Sequence, residues 1–444
     1  MKRALAMILT VLLLLAPLMG VSADEKKVVR VLLAGWDLND GIDPVTAAPF
    51  KGFLTWWAEN FTNEHPDIEV QINAIPWDTA QQKQQAELMA GNVDVLYTGS
   101  YVSQYYEMGL LRNIDDLLAN DTEYNPLELF PEGIWNSAYN LVTSDGNRYA
   151  LPAVMGQRYT VYDTTLFDQW GVEYLSEYPT TQEIIEKAKQ MTGINPVTGE
   201  QNYGAWFYLP APMDIFTFVA WSYAYDITGG IGTTEDPANI QWELNDEKMV
   251  QLFTDFGELV KCTPPGFLTG TGNEYYATED NNVAIFLDQN GGNIMSQYYQ
   301  TGETAMLDRY KASMNVGPNG EGWVAVDPIV MAANPQDVDA AWTVMKALAS
   351  PARQEYHYSE FRWTPAVKDY SFLNPADIHT PYALKIADSA HYTLIDESNP
   401  FFTTEIVPLV NRYCSDVLSG KTVDIQAMLD ELQAKAVAWS ASQK

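Results

Sequence analysis

The chain has 444 residues, with 58 acidic against 25 basic side chains and a net charge of −33. Such a field repels nucleic acid and anionic lipid, which excludes both as partners. Apolar residues at 47% and aromatic ones at 12% indicate packed globular structure, and the length exceeds what one hydrophobic core holds, so two lobes are expected.

The amino terminus, MKRALAMILTVLLLLAPLMGVSA, has a charged start at Lys2 and Arg3, an apolar run, and small residues at Val21 and Ala23. It reads as a secretory signal peptide over residues 1–23. The run is too short to cross roughly 30 Å of hydrocarbon, and Pro17 and Gly20 break it. No cysteine stands at its end, so the exported protein is expected to be free rather than lipid-anchored. Stable membrane insertion is not expected, since no other stretch approaches a spanning length. Cys262 and Cys414 are the two cysteines; export permits a disulfide and size makes one unnecessary, so pairing stays open.

Residues 28–35, VVRVLLAG, form a buried-strand pattern with Trp36 and Asp37 at its carboxyl end, where ligands sit in open α/β sheets. Residues 53–61 carry Phe53, Leu54, Trp57 and Phe61 at helical spacing, and the helix should stop before His65-Pro66. A second strand alternates over 68–75. A polar helix follows over 78–89, capped at Asp78 or Thr79, and a third strand, VDVLY, covers 93–97. This alternation predicts a mostly parallel sheet. Tyr97, Ser100 and Tyr101 lie at the third carboxyl end.

Residues 147–171, NRYALPAVMGQRYTVYDTTLFDQWG, read as a hairpin broken by Pro152 and Gly156, followed by a helix start. Thr180 or Thr181 should cap a helix through 188, with Glu183 near a capping-box position. Beyond it come a strand over 203–208, a ring-rich helix over 213–225, and a helix over 246–261 capped at Asn245 or Asp246. A strand over 283–287 then delivers Asp288 to Gly292. The strand over 323–331 carries Asp327-Pro328, and proline there predicts an edge or a bend. Helices are expected over 337–349, from Pro351 to about His357, and from about Thr404 to the end with a break near Gly420.

The four histidines lack metal-ligand spacing, and no nucleophile elbow, P-loop or dinucleotide fingerprint is present, so no metal, cofactor or catalytic set is expected. What stands at strand ends and loops is a set of rings and planar polar groups: Trp36, Asp37, Tyr97, Ser100, Tyr101, Gln157, Arg158, Tyr208, Asp288, Asn290 and Trp323. Rings offer flat apolar faces and the polar groups can grip vicinal hydroxyls, which suits a sugar.

The ordered series FTNEHPDIEVQINAIPWD, NVDVLYTGSYVSQYYEMGLLRNIDDLL, NRYALPAVMGQRYTVYDTTLFDQWG, DNNVAIFLDQN, GPNGEGWVAVDPIVMA and AAWTVMKALASPARQEYHYSEFRWTPAV resembles the family 1 extracellular solute-binding proteins, the sugar receptors of ABC importers. The resemblance implies a type II periplasmic-binding-protein-like α/β fold, with two lobes joined by hinge crossovers and a ligand cleft between them. Lobe I would comprise residues 24–154 and 328–376, lobe II residues 155–327 and 377–444. Crossovers would fall at 153–157, 323–328 and near Asn374, which turns the broken hairpin into the first of them. Ligand contacts would fall on Trp36-Asp37, Tyr97, Ser100, Tyr101, Gly156 to Arg158, Tyr208 to Pro212, Gln289 to Gly291, and Phe401-Phe402. The implied function is a non-enzymatic, monomeric receptor outside the cytoplasmic membrane that captures a carbohydrate and hands it to ABC permease subunits. A secreted glycoside-active enzyme and a ligand sensor for a membrane kinase are the alternatives. Asn290, where maltodextrin-binding members stack a tryptophan, argues against long malto-oligosaccharides.

Overall fold

The structure is a computed structural model, and it describes residues 26–42, 48–99, 101–136, 141–143, 145–157, 159–207, 216–227, 238–289, 298, 302–316, 320, 324–375, 377, 379–389 and 401–443. The expected signal peptide, residues 1–23, lies outside the described residues. So do Ser100, Arg158, Tyr208, Asn290 and Trp323 among the expected ligand contacts. Twelve strands are named in chain order: β1 (Lys27–Ala34), β2 (Gly41–Ile42), β3 (Pro49–Phe50), β4 (Ile68–Ile75), β5 (Val95–Tyr97), β6 (Ala150–Gln157), β7 (Tyr159–Asp163), β8 (Gly193–Ile194), β9 (Gln201–Trp206), β10 (Val283–Gln289), β11 (Tyr310–Ser313) and β12 (Val324–Met331).

Ten of them build two five-stranded sheets, ordered β4-β1-β5-β12-β6 and β11-β7-β10-β9-β8, and β2 and β3 pair as a separate antiparallel ribbon. In the first, β1 pairs parallel with β4 and β5, while β12 runs antiparallel to both β5 and β6. Four strands therefore share one direction, and the expected mostly parallel sheet is present. Period-two alternation sorts its side chains onto two faces. Val29, Val31, Leu33, Val95 and Tyr97 enter one core, while Leu32 and Leu96 enter the other.

The stretch 147–171 is not a hairpin. β6 pairs with β12, whereas β7 pairs with β10 and β11 in the other sheet, so the chain changes sheets between Gln157 and Tyr159. Pro152 sits in β6, an edge strand of the sheet, where proline is tolerated. Pro328 corrects the edge expectation differently. β12 lies inside the sheet between β5 and β6, and it tolerates Pro328 because the register with β6 shifts between Asp327 and Pro328. The Pro328 carbonyl still accepts from Thr98 N at 3.1 Å.

Local chemistry explains the helix boundaries. Asp163 caps the helix Thr164–Trp170 by accepting from Thr165 N and Leu166 N, and Gly171, at φ 62°, closes it in the left-handed region that glycine favours. Thr180 caps Thr181–Gln190 through Glu183 N, yet Glu183 turns away from a reciprocal capping box to accept from Ser176 instead. Asp246 caps Glu247–Val260, and Asp337 caps Val338–Ala349. The expected cap before Ala80–Ala90 is absent: Trp77–Thr79 form a tight turn, and Thr79 makes no side-chain cap bond.

The second sheet packs into one large core with the helices Glu247–Val260, Val407–Leu418 and Ile425–Ser442. Tyr413 Oη donates to the Phe253 carbonyl at 2.6 Å, and Trp242 Nε1 donates to Ser440 Oγ at 2.7 Å, so the tail belongs to this half of the molecule. Cys262 and Cys414 are both buried and unpaired.

Candidate functional site

β1, β4 and β5 point their carboxyl ends the same way, and β12 brings its amino-terminal half to that edge. There the first sheet meets the crossing to the second, because Val324 in β12 pairs with Gln157, the last residue of β6. This is the edge at which a loop-borne ligand site forms in an open α/β sheet.

Tyr97 is the centre of the edge. Its ring is 1% exposed, and its hydroxyl donates to Asp327 Oδ2 at 2.6 Å. Burial, then the Asp327 charge, pushes that hydroxyl well above the usual tyrosine range, so it remains a donor at every physiological pH. Around Tyr97 stand three indoles. Trp36 meets it edge-on at 5.1 Å, Trp77 edge-on at 5.7 Å, and Trp363 lies nearly parallel, 22° between planes, at 6.1 Å. Trp363 is delivered by Arg362, a non-glycine residue at φ 55° that ends the helix Pro351–Phe361, and Thr364 then bridges to Met155 of β6.

Below the rings lies an ionised group in an apolar setting. Arg353 is fully buried and donates from Nε to the Leu348 carbonyl at 2.5 Å and from Nη2 to the Ala153 carbonyl of β6 at 2.6 Å. Its guanidinium sits 5.5 Å from the Trp36 ring, and burial lowers its pKa to about 9. The same burial, reinforced by the Arg353 charge, holds His357 well below its ordinary value, so its imidazole is neutral.

The loop after β5 is braced from beneath. Gln84 is wholly buried; its Nε2 donates to the Tyr97 carbonyl at 2.8 Å, and its Oε1 accepts from Thr98 Oγ1 at 2.7 Å. In the second half, Thr160, Leu287, Asn315, Thr217, Ala220, Trp221 and Val316 come together at the end of β7 and β10 nearest the crossing.

The sequence-derived candidates divide accordingly. Trp36 and Tyr97 come together, but both are buried, and they act as the floor of the edge. Asp37 is exposed beside them, its carbonyl accepting from Phe53 N at 3.0 Å. Tyr101 is half-buried and tilts against Tyr105 at 6.1 Å. Gln157 and Asp288 are placed by their backbones at the ends of β6 and β10. Phe401 does not join them. It is 2% exposed and packed between Trp242 and Trp439 at 5.0 and 5.6 Å, a core position in the second half.

Trp77, Asp327 and Trp363 complete the edge and are not picked out by the sequence pattern. For Trp77 a signal exists: it follows the second parallel strand at the same kind of carboxyl end that marks Trp36 and Tyr97.

Two α/β halves joined by chain crossings at a ring-lined edge define a type II binding-protein fold. Solved structures agree on that fold. The sugar-binding protein MalE of Xanthomonas citri superposes with a TM-score of 0.69 at 17% identity, covering 94% of this chain and 98% of its own. An ABC substrate-binding protein of Listeria monocytogenes, solved with cycloalternan, gives 0.68 at 16%, covering 93% and 98%. A protein of Brucella abortus (strain 2308) is 25% identical over 392 residues, 85% of this chain and 87% of its own. The family model described as bacterial extracellular solute-binding protein matches residues 43–355. The chain belongs to that family.

Proposed function

We propose that this protein is the non-enzymatic receptor of an ABC importer, and that it captures a neutral carbohydrate between its halves and presents it, closed, to permease subunits. The observation that carries the reading is the edge itself, where exposed and half-buried rings, with Asp37 and Asp327, stand beside the passage of the chain from one sheet to the other. Rings meet the C–H faces of a sugar, and carboxylates accept from its hydroxyls. Structural relatives were solved with cycloalternan, D-mannitol and α-D-tagatose, which supports the ligand class.

Residues 157–159, the stretch leading into β12, and Asn374 to Thr380 are the proposed crossovers. In the last, Asp377 accepts from Tyr358 Oη at 2.9 Å and from His379 N and Thr380 N, each at 2.9 Å. Gln157, Arg158, Ser100, Tyr208, Asp288, Asn290 and Trp323 are proposed to complete the cleft. The mature protein is proposed to be a monomer without a lipid anchor; among the described residues no helix is long and apolar enough to cross a membrane.

A ligand bridging both halves stabilises the closed state only by its extra affinity for that state. At a hundred times its dissociation constant it adds about 2.7 kcal/mol of stability. Thermal melting and titration calorimetry against D-glucose, maltose, maltotriose, D-mannitol and ribitol test the proposal. At least one should raise the melting temperature and bind at one site per chain. A protein unmoved by every sugar and polyol but stabilised by peptides or polyamines would overturn the carbohydrate reading.

A further inference from the structure

Among the large apolar side chains that remain exposed, Trp77 stands at the proposed cleft. It follows β4, it is 41% exposed, and its ring lies across the ends of the two neighbouring parallel strands. The two residues beneath it are glycines. A Cβ on Gly35 would come within 2.0 Å of Trp77 Nε1, and one on Gly99 within 3.3 Å of its Cζ3. The pyrrole end of the indole thus rests over the end of β1, and the benzo end over the loop after β5. Gly35 also holds φ +71°, a conformation that side chains rarely adopt, so the seat is closed to larger residues on two grounds. Tyr97 braces the ring edge-on from the core side.

Trp36 shows what an ordinary packing ring looks like at this edge. It stands after β1, is 5% exposed, and is enclosed by Phe53, Tyr97, His357 and Trp363. Trp77 is held just as firmly on one side and left open on the other. An exposed indole fixed on a glycine seat loses little side-chain entropy when something covers it, because the surroundings have already ordered it.

We infer that the open face of Trp77 is the stacking platform for one pyranose ring of the ligand, and that it selects cyclic sugars over acyclic polyols. The inference rests on the proposed carbohydrate receptor and specifies which chemistry it takes. A pyranose offers a flat patch of C–H groups about the size of an indole, with hydroxyls at its rim for Asp37 and Asp327; an open-chain polyol offers no rigid face. The patch is one ring wide, which fits a single sugar unit at this position.

The test measures calorimetric affinities of D-glucose, maltose, D-mannitol and ribitol for the full chain and for Trp77→Ala and Trp77→Phe. A cyclic sugar should bind more tightly than either polyol. Trp77→Ala should weaken it by about tenfold or more, and Trp77→Phe by no more than about threefold. Should the alanine variant fail to fold, the wild-type protein still decides. Oxidation of Trp77 by N-bromosuccinimide, followed by peptide mass spectrometry, should be suppressed by the saturating cyclic sugar. Unchanged affinity in Trp77→Ala, or oxidation at the same rate with sugar bound, would overturn the platform and leave the receptor standing. Binding of D-mannitol or ribitol alone would do likewise. If no sugar or polyol binds, the receptor reading itself falls.

Discussion

The Asp163–Arg309 pair lies in the second sheet at the opposite end of β7 from the crossing, which allows stability and ligand capture to be separated. Asp163 is wholly buried. It accepts from Arg309 Nε at 2.9 and 3.0 Å, from Arg309 Nη2 at 2.7 Å, from Asn281 Nδ2 at 2.8 Å, and from the N–H groups of the helix it caps. Burial pulls the Arg309 guanidinium downward, but the Asp163 carboxylate outweighs it and the net shift is upward. Removing one partner of such a buried pair costs about 3–5 kcal/mol, because the other charge is stranded. The two removals are not equal here. Arg309→Met leaves Asp163 with Asn281 and two backbone donors, and belongs at the low end, about 3 kcal/mol. Asp163→Ala leaves Arg309 with little beyond the Glu279 carbonyl, and also deletes a helix cap worth about 1 kcal/mol, so about 5 kcal/mol is expected. At about 2–4 °C per kcal/mol, the latter corresponds to a fall of roughly 10–20 °C in Tm. The double variant should cost about 5 kcal/mol, well short of the roughly 8 that addition gives, since the second removal breaks nothing further. Urea melting at neutral pH reads all three, and calorimetry reads sugar affinity in the variants that remain folded. Equal costs for the two single variants, or additivity within about 0.5 kcal/mol, would refute the reasoning; a loss of sugar affinity in folded Arg309→Met would show that this end is not independent of the cleft.

Gly204→Ala should destabilise the same half by about 3 kcal/mol or more in urea melting, because its Cβ would meet the Ala188 carbonyl oxygen at 1.9 Å, and backbone can yield only by lifting the helix Thr181–Gln190 from β9. Gln84→Ala strands the Tyr97 carbonyl and the Thr98 hydroxyl in a buried site; about 2–4 kcal/mol of stability should be lost, and sugar affinity should fall as the loop after β5 loosens. Wild-type affinity in a folded Gln84→Ala protein would contradict that bracing role. His379 is buried with its pKa lowered to about 4, chiefly by burial. The unfolded chain binds that proton near pH 6.5 and the folded one only near 4, so stability is intact above about pH 6.5 and falls as pH drops toward 4, by roughly 3 kcal/mol. The slope of Tm against pH across that window should flatten in His379→Gln, and an unchanged slope would assign the acid sensitivity elsewhere. His357 contributes with the same sign.

Much of this architecture is legible in the sequence, for reasons that can be located. β1, β4 and the capped helices announce themselves through signals a few residues long: alternation, Asp163, Thr180, Asp246 and Asp337 at helix starts, and Gly171 at a helix end. Non-local pairing is not written that way. Ala150 to Asp163 has the composition of a hairpin, and nothing within it says that β6 joins β12 while β7 joins β10 and β11; only the family's motif order marks a crossing. Pro328 likewise predicts an edge or a bend, and nothing near it in sequence says which; the register shift beside it, against a partner strand about 180 residues earlier, is what lets it stand inside the sheet.

The site shows the same division at finer scale. The rule that ligands gather at the carboxyl ends of parallel strands finds Trp36, Tyr97 and, applied once more, Trp77. It cannot rank them, because rank depends on what each ring touches. Trp36 is covered by Phe53, His357 and Trp363, all but Phe53 from a segment some 320 residues away, and so becomes floor. Trp77 meets Gly35 and Gly99, which have nothing to cover it with, and so remains surface. The residues that decide between packing and contact at this edge are therefore the small ones. That explains why a search for functional side chains finds the rings and passes over the positions that set their roles.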